Sequence, residues 1–210
     1  MRQTIDSVRK TRREVLVNFD LIRAFERVDC RNVLETLMNW NLNHRIPDAV
    51  CKIANRRTFK VETRQFPRIS RSEPTTTRRG APQGSSNGHV LFVIEVDSLL
   101  QLLSTLNIKA TMYSDGLAMI PNWIELEDQI SLQARIQLAL DTVVNWCMVR
   151  HFFINKTKCS HAVLGNLTAP PFNIRIDSAP RMRDDRPKYL RIRIGGTTKS
   201  RNKWIESPIR

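Results

Sequence analysis

The segment that most limits how this chain can fold is Met112-Tyr113-Ser114-Asp115-Gly116-Leu117-Ala118-Met119, an Asp-Gly dipeptide between short runs of apolar and small residues. Asp and Gly tolerate the positive φ angles of a type I′ turn, so the segment predicts a tight β-hairpin and therefore an antiparallel sheet. Asp115 then has two readings. It is a polar turn residue facing solvent, or a metal-binding carboxylate presented at a hairpin tip. The second reading needs another carboxylate from a neighbouring strand. Glu14-Val15-Leu16-Val17-Asn18-Phe19-Asp20 supplies one, because β-forming residues dominate it and Asp20 stands at its end. If the two segments are sheet neighbours, Asp20 and Asp115 converge. Two carboxylates plus the oxygens of a nucleoside triphosphate make the hard-oxygen shell that Mg2+ prefers.

Charge narrows the class of partner. The formal net charge is +14, and it is unevenly spread. Residues 52–79 hold nine Lys and Arg against two Asp and Glu, and residues 175–210 hold eleven against four. Two basic blocks around a near-neutral middle suit a polyanion contacted on two sides; the plain alternative is a solvated basic surface. Cys30, Cys51, Cys147 and Cys159 form no C-x-x-C pair, and the four histidines do not complement them. A zinc site is therefore not expected, and reduced thiols in an intracellular protein are. The sequence shows no signal-peptide core and no apolar run of membrane-spanning length, so neither secretion nor a membrane partner is expected.

Along the chain, Leu21, Ile22, Ala24 and Phe25 read as a compact turn or short helix after the first strand. Asp29 caps a predicted helix through Val33, Leu34, Leu37 and Met38, and Pro47 opens a second with Val50, Ile53 and Ala54 inward. Thr58–Thr63 alternates as an exposed strand, and the basic connection from there to Arg78-Arg79 reads as a loop. A turn-rich stretch, Gly80–Gly88, feeds an apolar helix with Leu91, Phe92, Val96, Leu99, Leu100 and Leu103 inward. After the hairpin, a helical pattern runs from about Glu125 to Arg150, with Ile130, Leu138, Val144 and Trp146 on its buried side. Phe153–Gly165 reads as a strand reached through a polar turn at 155–158, and two alternating segments follow, Phe172–Ile176 and Tyr189–Ile194. This order predicts an α+β fold, an antiparallel sheet with helices packed on one face.

The words around the two aspartates add a family resemblance. Phe19-Asp20-Leu21-Ile22-Arg23-Ala24-Phe25-Glu26-Arg27-Val28-Asp29 closely resembles motif A of non-LTR retrotransposon reverse transcriptases. Gly80-Ala81-Pro82-Gln83-Gly84-Ser85 resembles their motif B, and Tyr113-Ser114-Asp115-Gly116 stands where motif C belongs. Phe153-Ile154-Asn155-Lys156-Thr157-Lys158 is similar to motif D, and Lys188-Tyr189-Leu190-Arg191-Ile192 to the strand after it. Trypanosomatid elements are the nearest kind. The resemblance implies a polymerase palm, part of a right-hand reverse transcriptase. Residues 1–14 would be a basic remnant of the fingers, 15–165 the palm with motifs A to D, and 166–210 a basic β-rich extension.

The activity it implies is RNA-directed DNA synthesis from deoxynucleoside triphosphates on an RNA template and a DNA primer, with Mg2+ or Mn2+ in a two-ion site. Asp20 and Asp115 would be the metal ligands. Lys156 would lie near the departing pyrophosphate, its bland alternative being an exposed turn lysine. Phe25 would be the gate that excludes a 2′-hydroxyl, its alternative a core aromatic. Gln83, Gly84 and Tyr113 would line the incoming nucleotide. Arg56, Arg57, Arg64, Arg68, Arg71, Arg78 and Arg79 would contact template–primer phosphates without reading sequence. A partner chain or a longer polyprotein would supply fingers and thumb, and a retroelement enzyme of this kind would act in the nucleus.

The pattern also has departures. Gly116 replaces the second aspartate of motif C, motif B runs on as Ser86-Asn87-Gly88-His89 in place of small apolar residues and a proline, and Arg191 replaces a glycine. These leave a second expectation open: a reverse-transcriptase-derived protein without turnover that binds RNA or serves as a structural piece of a ribonucleoprotein.

Overall fold

The structure, a computed structural model, describes residues 14–54, 57–65, 67–77, 79–82, 84, 86–122, 124, 127–164, 172–176, 179–180, 188–189 and 192–193. Its strands are β1 (Glu14–Ile22), β2 (Arg57–Phe59), β3 (Glu62–Gln65), β4 (Arg68–Arg71), β5 (Thr75–Thr77), β6 (Ile108–Tyr113), β7 (Gly116–Pro121), β8 (Phe153–Ile154), β9 (Ser160–Leu164), β10 (Arg175–Ile176), β11 (Ala179–Pro180), β12 (Lys188–Tyr189) and β13 (Ile192–Arg193). The helices are α1 (Ala24–Arg27), α2 (Cys30–Asn39), α3 (Arg45–Ala54), α4 (Ser86–Thr105) and α5 (Gln129–Arg150). The chain divides into two compact units, Met1–Ile22 with Leu99–Arg210, and Arg23–Ser98.

In the first unit an antiparallel sheet runs β6-β7-β1, and the far edge of β1 pairs with both β9 and β8. β1 therefore has a partner on each side, and its residues 15–19 are buried. Alternation sorts the sheet into two faces. Val15, Val17, Phe19 and Leu21 share one with Leu117 and Met119, and all six are buried. The other carries Leu16, Asn18 and Asp20 beside Ala118 and Gly116. Leu16, Ala118 and Ile120 close one end of that second face as a small apolar cluster.

Helix α5 starts where the side chain of Asp128 accepts a hydrogen bond from the Ser131 backbone N–H (2.7 Å), three residues past the expected acidic start. Its buried residues are Ile136, Ala139, Leu140, Val143, Trp146 and Cys147. Trp146 falls where the sequence predicts it. Ile130 and Leu138 do not: they are 80% and 53% exposed. The buried stripe is set by contacts with β8 and β10, and it runs on a different phase of the helix. Burial pushes the Cys147 thiol up to about 12, with nearby Cys159 adding to the shift, so it remains a neutral core residue.

In the second unit, Asp29 caps α2 as expected, accepting from the Arg31 N–H at 3.0 Å. The predicted strand over 58–63 is broken, and the predicted loop after it is ordered. β2 pairs with β5 and β3 with β4, giving one nested hairpin whose far half is wholly exposed. Helix α4 contradicts the expectation that no stretch is apolar enough to cross a membrane, since Asn87–Thr105 passes by length and composition. Its middle holds Glu95, fully buried and accepting from Asn32 Nδ2 at 2.8 Å, a pairing suited to a protein core. Of the predicted segment 189–194, Tyr189 and Ile192 stand opposite each other in a two-stranded ladder, beside the pair Lys188 and Arg193. The rest is α+β, as the order of elements predicts.

Candidate active site

The β1–β7 pairing brings the backbone of the Asp115 hairpin loop alongside that of Asp20. Register sets Phe19 opposite Leu117 and Asp20 opposite Gly116. The Leu21 N–H donates to the Asp115 carbonyl oxygen at 2.8 Å, so Asp115 lies across from Leu21 at the mouth of the hairpin. The turn differs from the Asp-Gly prediction. Tyr113 pairs with Gly116, which leaves Ser114 and Asp115 as the two loop residues. The positive φ falls on Ser114, at +54°. Gly116 is drawn into β7 because it must pair with Asp20, and a one-residue slip would turn every β7 side chain to the wrong face. Tyr113, expected near the nucleotide, stands on the same face as Gly116 and is 64% exposed.

Asp20 is also not at the end of its strand. β1 continues to Ile22, because Leu21 and Ile22 pair with Ile154 and Phe153. The same edge contact brings in a residue that sequence reasoning missed. The Asn155 N–H donates to the Asp20 carbonyl oxygen at 2.8 Å, which seats the 155–158 turn on β1. Lys158 Nζ then lies 3.2 Å from Oδ2 and 3.3 Å from Oδ1 of Asp20. Lys156 is exposed in the same turn, and the cation on Asp20 is that of Lys158. Two lysines one residue apart from the midpoint of a turn look alike in sequence; the strand pairing separates them. Asn18, two residues before Asp20 on the same face, is 5% exposed, and its amide makes no hydrogen bond to the protein.

The donor set can be tested against a divalent ion. Among the described residues no group of three or more His, Cys, Asp or Glu converges. Asp20 on β1 and Asp115 in the adjoining hairpin loop remain, and Mg2+ is commonly held by one or two carboxylates plus substrate phosphates and water. The set therefore fits an ion that arrives with a nucleotide. It is poorer by the carboxylate that Gly116 lacks, and Asp20 already carries an ammonium partner.

Phe25, Gly84 and the described arginines named from the sequence belong to the second unit. Phe25 lies in α1, its ring centroid 4.6 Å from that of Phe92 and 5.3 Å from that of His89. The motif B loop is tied to the same segment: Ala81 N–H donates to the Phe25 carbonyl oxygen (2.7 Å) and Gly80 N–H to that of Val28 (2.8 Å). Gly80, at φ +87°, passes so close to Glu26 that a Cβ would lie 3.3 Å from its carbonyl oxygen. Gly84, at φ +82°, has open space around the position of a Cβ, which leaves its backbone approachable. Gln83, Arg56 and Arg78 lie outside the described residues.

The described arginines are not equally available to phosphates. Arg57 Nη2 donates to the carbonyl oxygens of Arg79 (3.2 Å) and Gly80, so it holds the loop. Arg79 Nε lies 3.6 Å from Asp29 Oδ2, and the Arg31 and Arg79 guanidiniums contribute to holding the Asp29 carboxyl below its usual value. Arg64 and Arg71 both reach Glu62, at 2.8 and 2.9 Å, from exposed strands, and Arg68 stands exposed near the tip of their hairpin. These three form a charged arm.

Comparison with known proteins fits this arrangement. A family model described as reverse transcriptase (RNA-dependent DNA polymerase) matches residues 1–194. The chain belongs to the reverse transcriptase family. Among solved structures, the chain is similar to apo telomerase from Candida tropicalis, truncated from its C-terminal domain. The TM-score is 0.54 at 12% identity, covering 80% of this chain and 34% of that one. Telomerase from Candida albicans, in complex with a TWJ fragment of telomeric RNA, aligns with TM-score 0.40 and 12% identity, covering 91% of this chain and 34% of that one. The chain thus spans about a third of the length of these structures. No curated protein matches it. At such identity the first likeness speaks for the fold, a mixed helix and antiparallel-sheet architecture compatible with a polymerase palm.

Proposed function

We propose that this reverse transcriptase family member is the palm of a non-LTR retroelement polymerase, acting on an RNA template and a DNA primer with deoxynucleoside triphosphates as substrates. The observation that carries the reading is the register that sets Asp20 on β1 beside the Asp115 hairpin, with Lys158 on the same carboxylate. Asp20 and Asp115 would hold Mg2+ or Mn2+ with the help of the triphosphate. When bound, such an ion supplies Lewis-acid activation of the primer 3′-hydroxyl and offsets charge on the departing pyrophosphate.

The chain's own residues do the rest. Lys158 neutralises Asp20 in the absence of substrate, and its flexible four-carbon stem lets the ammonium turn to a phosphate oxygen when a nucleotide arrives. Phe25 bars a 2′-hydroxyl, and Gly84 leaves room for the template strand. Arg64, Arg68 and Arg71 meet backbone phosphates, so affinity falls steeply with salt and carries little sequence preference. Fingers and thumb would come from a longer polyprotein or a partner chain.

Gly116 and the Asp20–Lys158 pair favour a second reading as well, an RNA-binding member of the family without turnover. Primer extension on RNA with Mg2+ and with Mn2+, comparing the chain with Asp20→Ala, separates the two. Extension lost in the variant supports the polymerase. Salt-sensitive RNA binding by both proteins with no extension by either supports the binding module.

A further inference from the structure

Phe25 meets two different neighbours on α4. Phe92 is 3% exposed, and its ring lies 4.6 Å from Phe25 at an interplanar angle of 31°, a buried floor. His89 sits one turn earlier, exposed, with its ring at 88° and 5.3 Å, an edge-to-face contact within the range aromatic pairs prefer. Phe25 itself is half-buried.

The place of His89 is built, not incidental. Directly before it, Gly88 lies so close to the motif B loop that a Cβ would stand 2.4 Å from the Pro82 carbonyl oxygen. A side chain at residue 88 would push the first turn of α4 off this loop. The loop is in turn fastened to Phe25 by the Ala81 N–H, at 2.7 Å. Backbone and ring are therefore clamped from the same stretch of chain, and His89 is the exposed side of the clamp.

We infer that His89 is a positioning residue for Phe25 and sets how strongly the site discriminates 2′-deoxynucleotides from ribonucleotides, an inference that rests on Phe25 facing the nucleotide sugar as proposed above. With the imidazole in place, Phe25 packs against two rings of α4, which restrains it from swinging aside for a 2′-hydroxyl. Without it, the ring keeps the Phe92 contact and loses the aromatic neighbour on its exposed side. An aromatic pair of this geometry corresponds to a change of about two- to tenfold in the discrimination ratio.

The test is equilibrium binding of dGTP and GTP to the full chain on an RNA–DNA template–primer with a dideoxy-terminated primer, read by filter binding so that no turnover is needed. The unsubstituted chain should favour dGTP. His89→Ala should lower the dGTP-to-GTP ratio about two- to tenfold, through tighter GTP binding with dGTP affinity kept. His89→Phe, which retains an aromatic edge, should restore the ratio. A ratio unchanged in His89→Ala but lost in Phe25→Ala would overturn the role of His89 while leaving the nucleotide reading intact. No binding of either nucleotide by the unsubstituted chain would overturn both.

Discussion

Replacing Gly116 with aspartate tests the site geometry directly. Leu21 and Asp115 are linked by a backbone hydrogen bond, so Asp20 and residue 116 form the adjacent non-hydrogen-bonded pair, in which side chains approach most closely. A carboxylate at 116 would stand about 5 Å from that of Asp20, for a repulsion of about 3 kcal/mol at an effective dielectric of about 20. Lys158, already on Asp20, and partial exposure to solvent reduce this to about 1–2 kcal/mol. For a chain of this size that is about 2–8 °C in Tm. The sign reverses with metal. Three carboxylates make a better site than two, and an ion at about 100 times its Kd adds about 2.7 kcal/mol of stability. Thermal melts followed by circular dichroism, in EDTA and in Mn2+, should show Gly116→Asp below the unsubstituted chain in EDTA and rescued by Mn2+. Gly116→Asn, without the charge, should show neither effect. If Gly116→Asp melts like the unsubstituted chain in EDTA and Mn2+ does not raise it, residue 116 does not face Asp20.

Three further outcomes follow from other contacts. Arg135 Nε donates to Glu127 (2.8 Å), and its two terminal nitrogens reach the carbonyl oxygens of Asn107 (2.8 Å) and Asn122 (2.9 Å), all with little exposure of the ion pair. Arg135→Met should cost about 3–5 kcal/mol in urea unfolding, and adding Glu127→Leu should recover most of it. Gly88→Ala, favoured by helix propensity by about 1 kcal/mol, should nonetheless lower stability, because its Cβ meets the Pro82 carbonyl oxygen at 2.4 Å; a higher Tm would show that the loop yields freely. The Asp29 carboxyl is held below its usual value of 3.8, chiefly by the Arg31 side-chain hydrogen bond. Its stabilisation is present above that value and lost as pH falls through the depressed one, so the gap of about 1 kcal/mol between the unsubstituted chain and Asp29→Ala should close on acidification below about pH 4.

The engaged arginines refine how the basic charge acts. Of the seven named from the sequence, Arg57 and Arg79 serve the loop beside Phe25, by backbone hydrogen bonds and by pairing with Asp29. Arg64 and Arg71 share one glutamate and stay exposed. A count of charges cannot separate these duties, because they depend on which carbonyl or carboxylate folds back beside each guanidinium.

Features that depend on neighbours within a few residues are readable from the chain's local order. Asp29 and Asp128 cap helices because a short side chain reaches the N–H groups two or three positions on. The hairpin near Asp115, the α4 and α5 spans and the α+β order are legible for the same reason. So is the family, because its words are contiguous. Tertiary structure decided the rest. The turn residues, the continuation of β1 past Asp20, the buried phase of α5 and the Asp20–Lys158 ion pair all follow from pairing partners far along the chain. Asp20 and Lys158 are 138 positions apart, and no local φ preference or apolar period reports a contact formed only when β8 and β9 close on the free edge of β1.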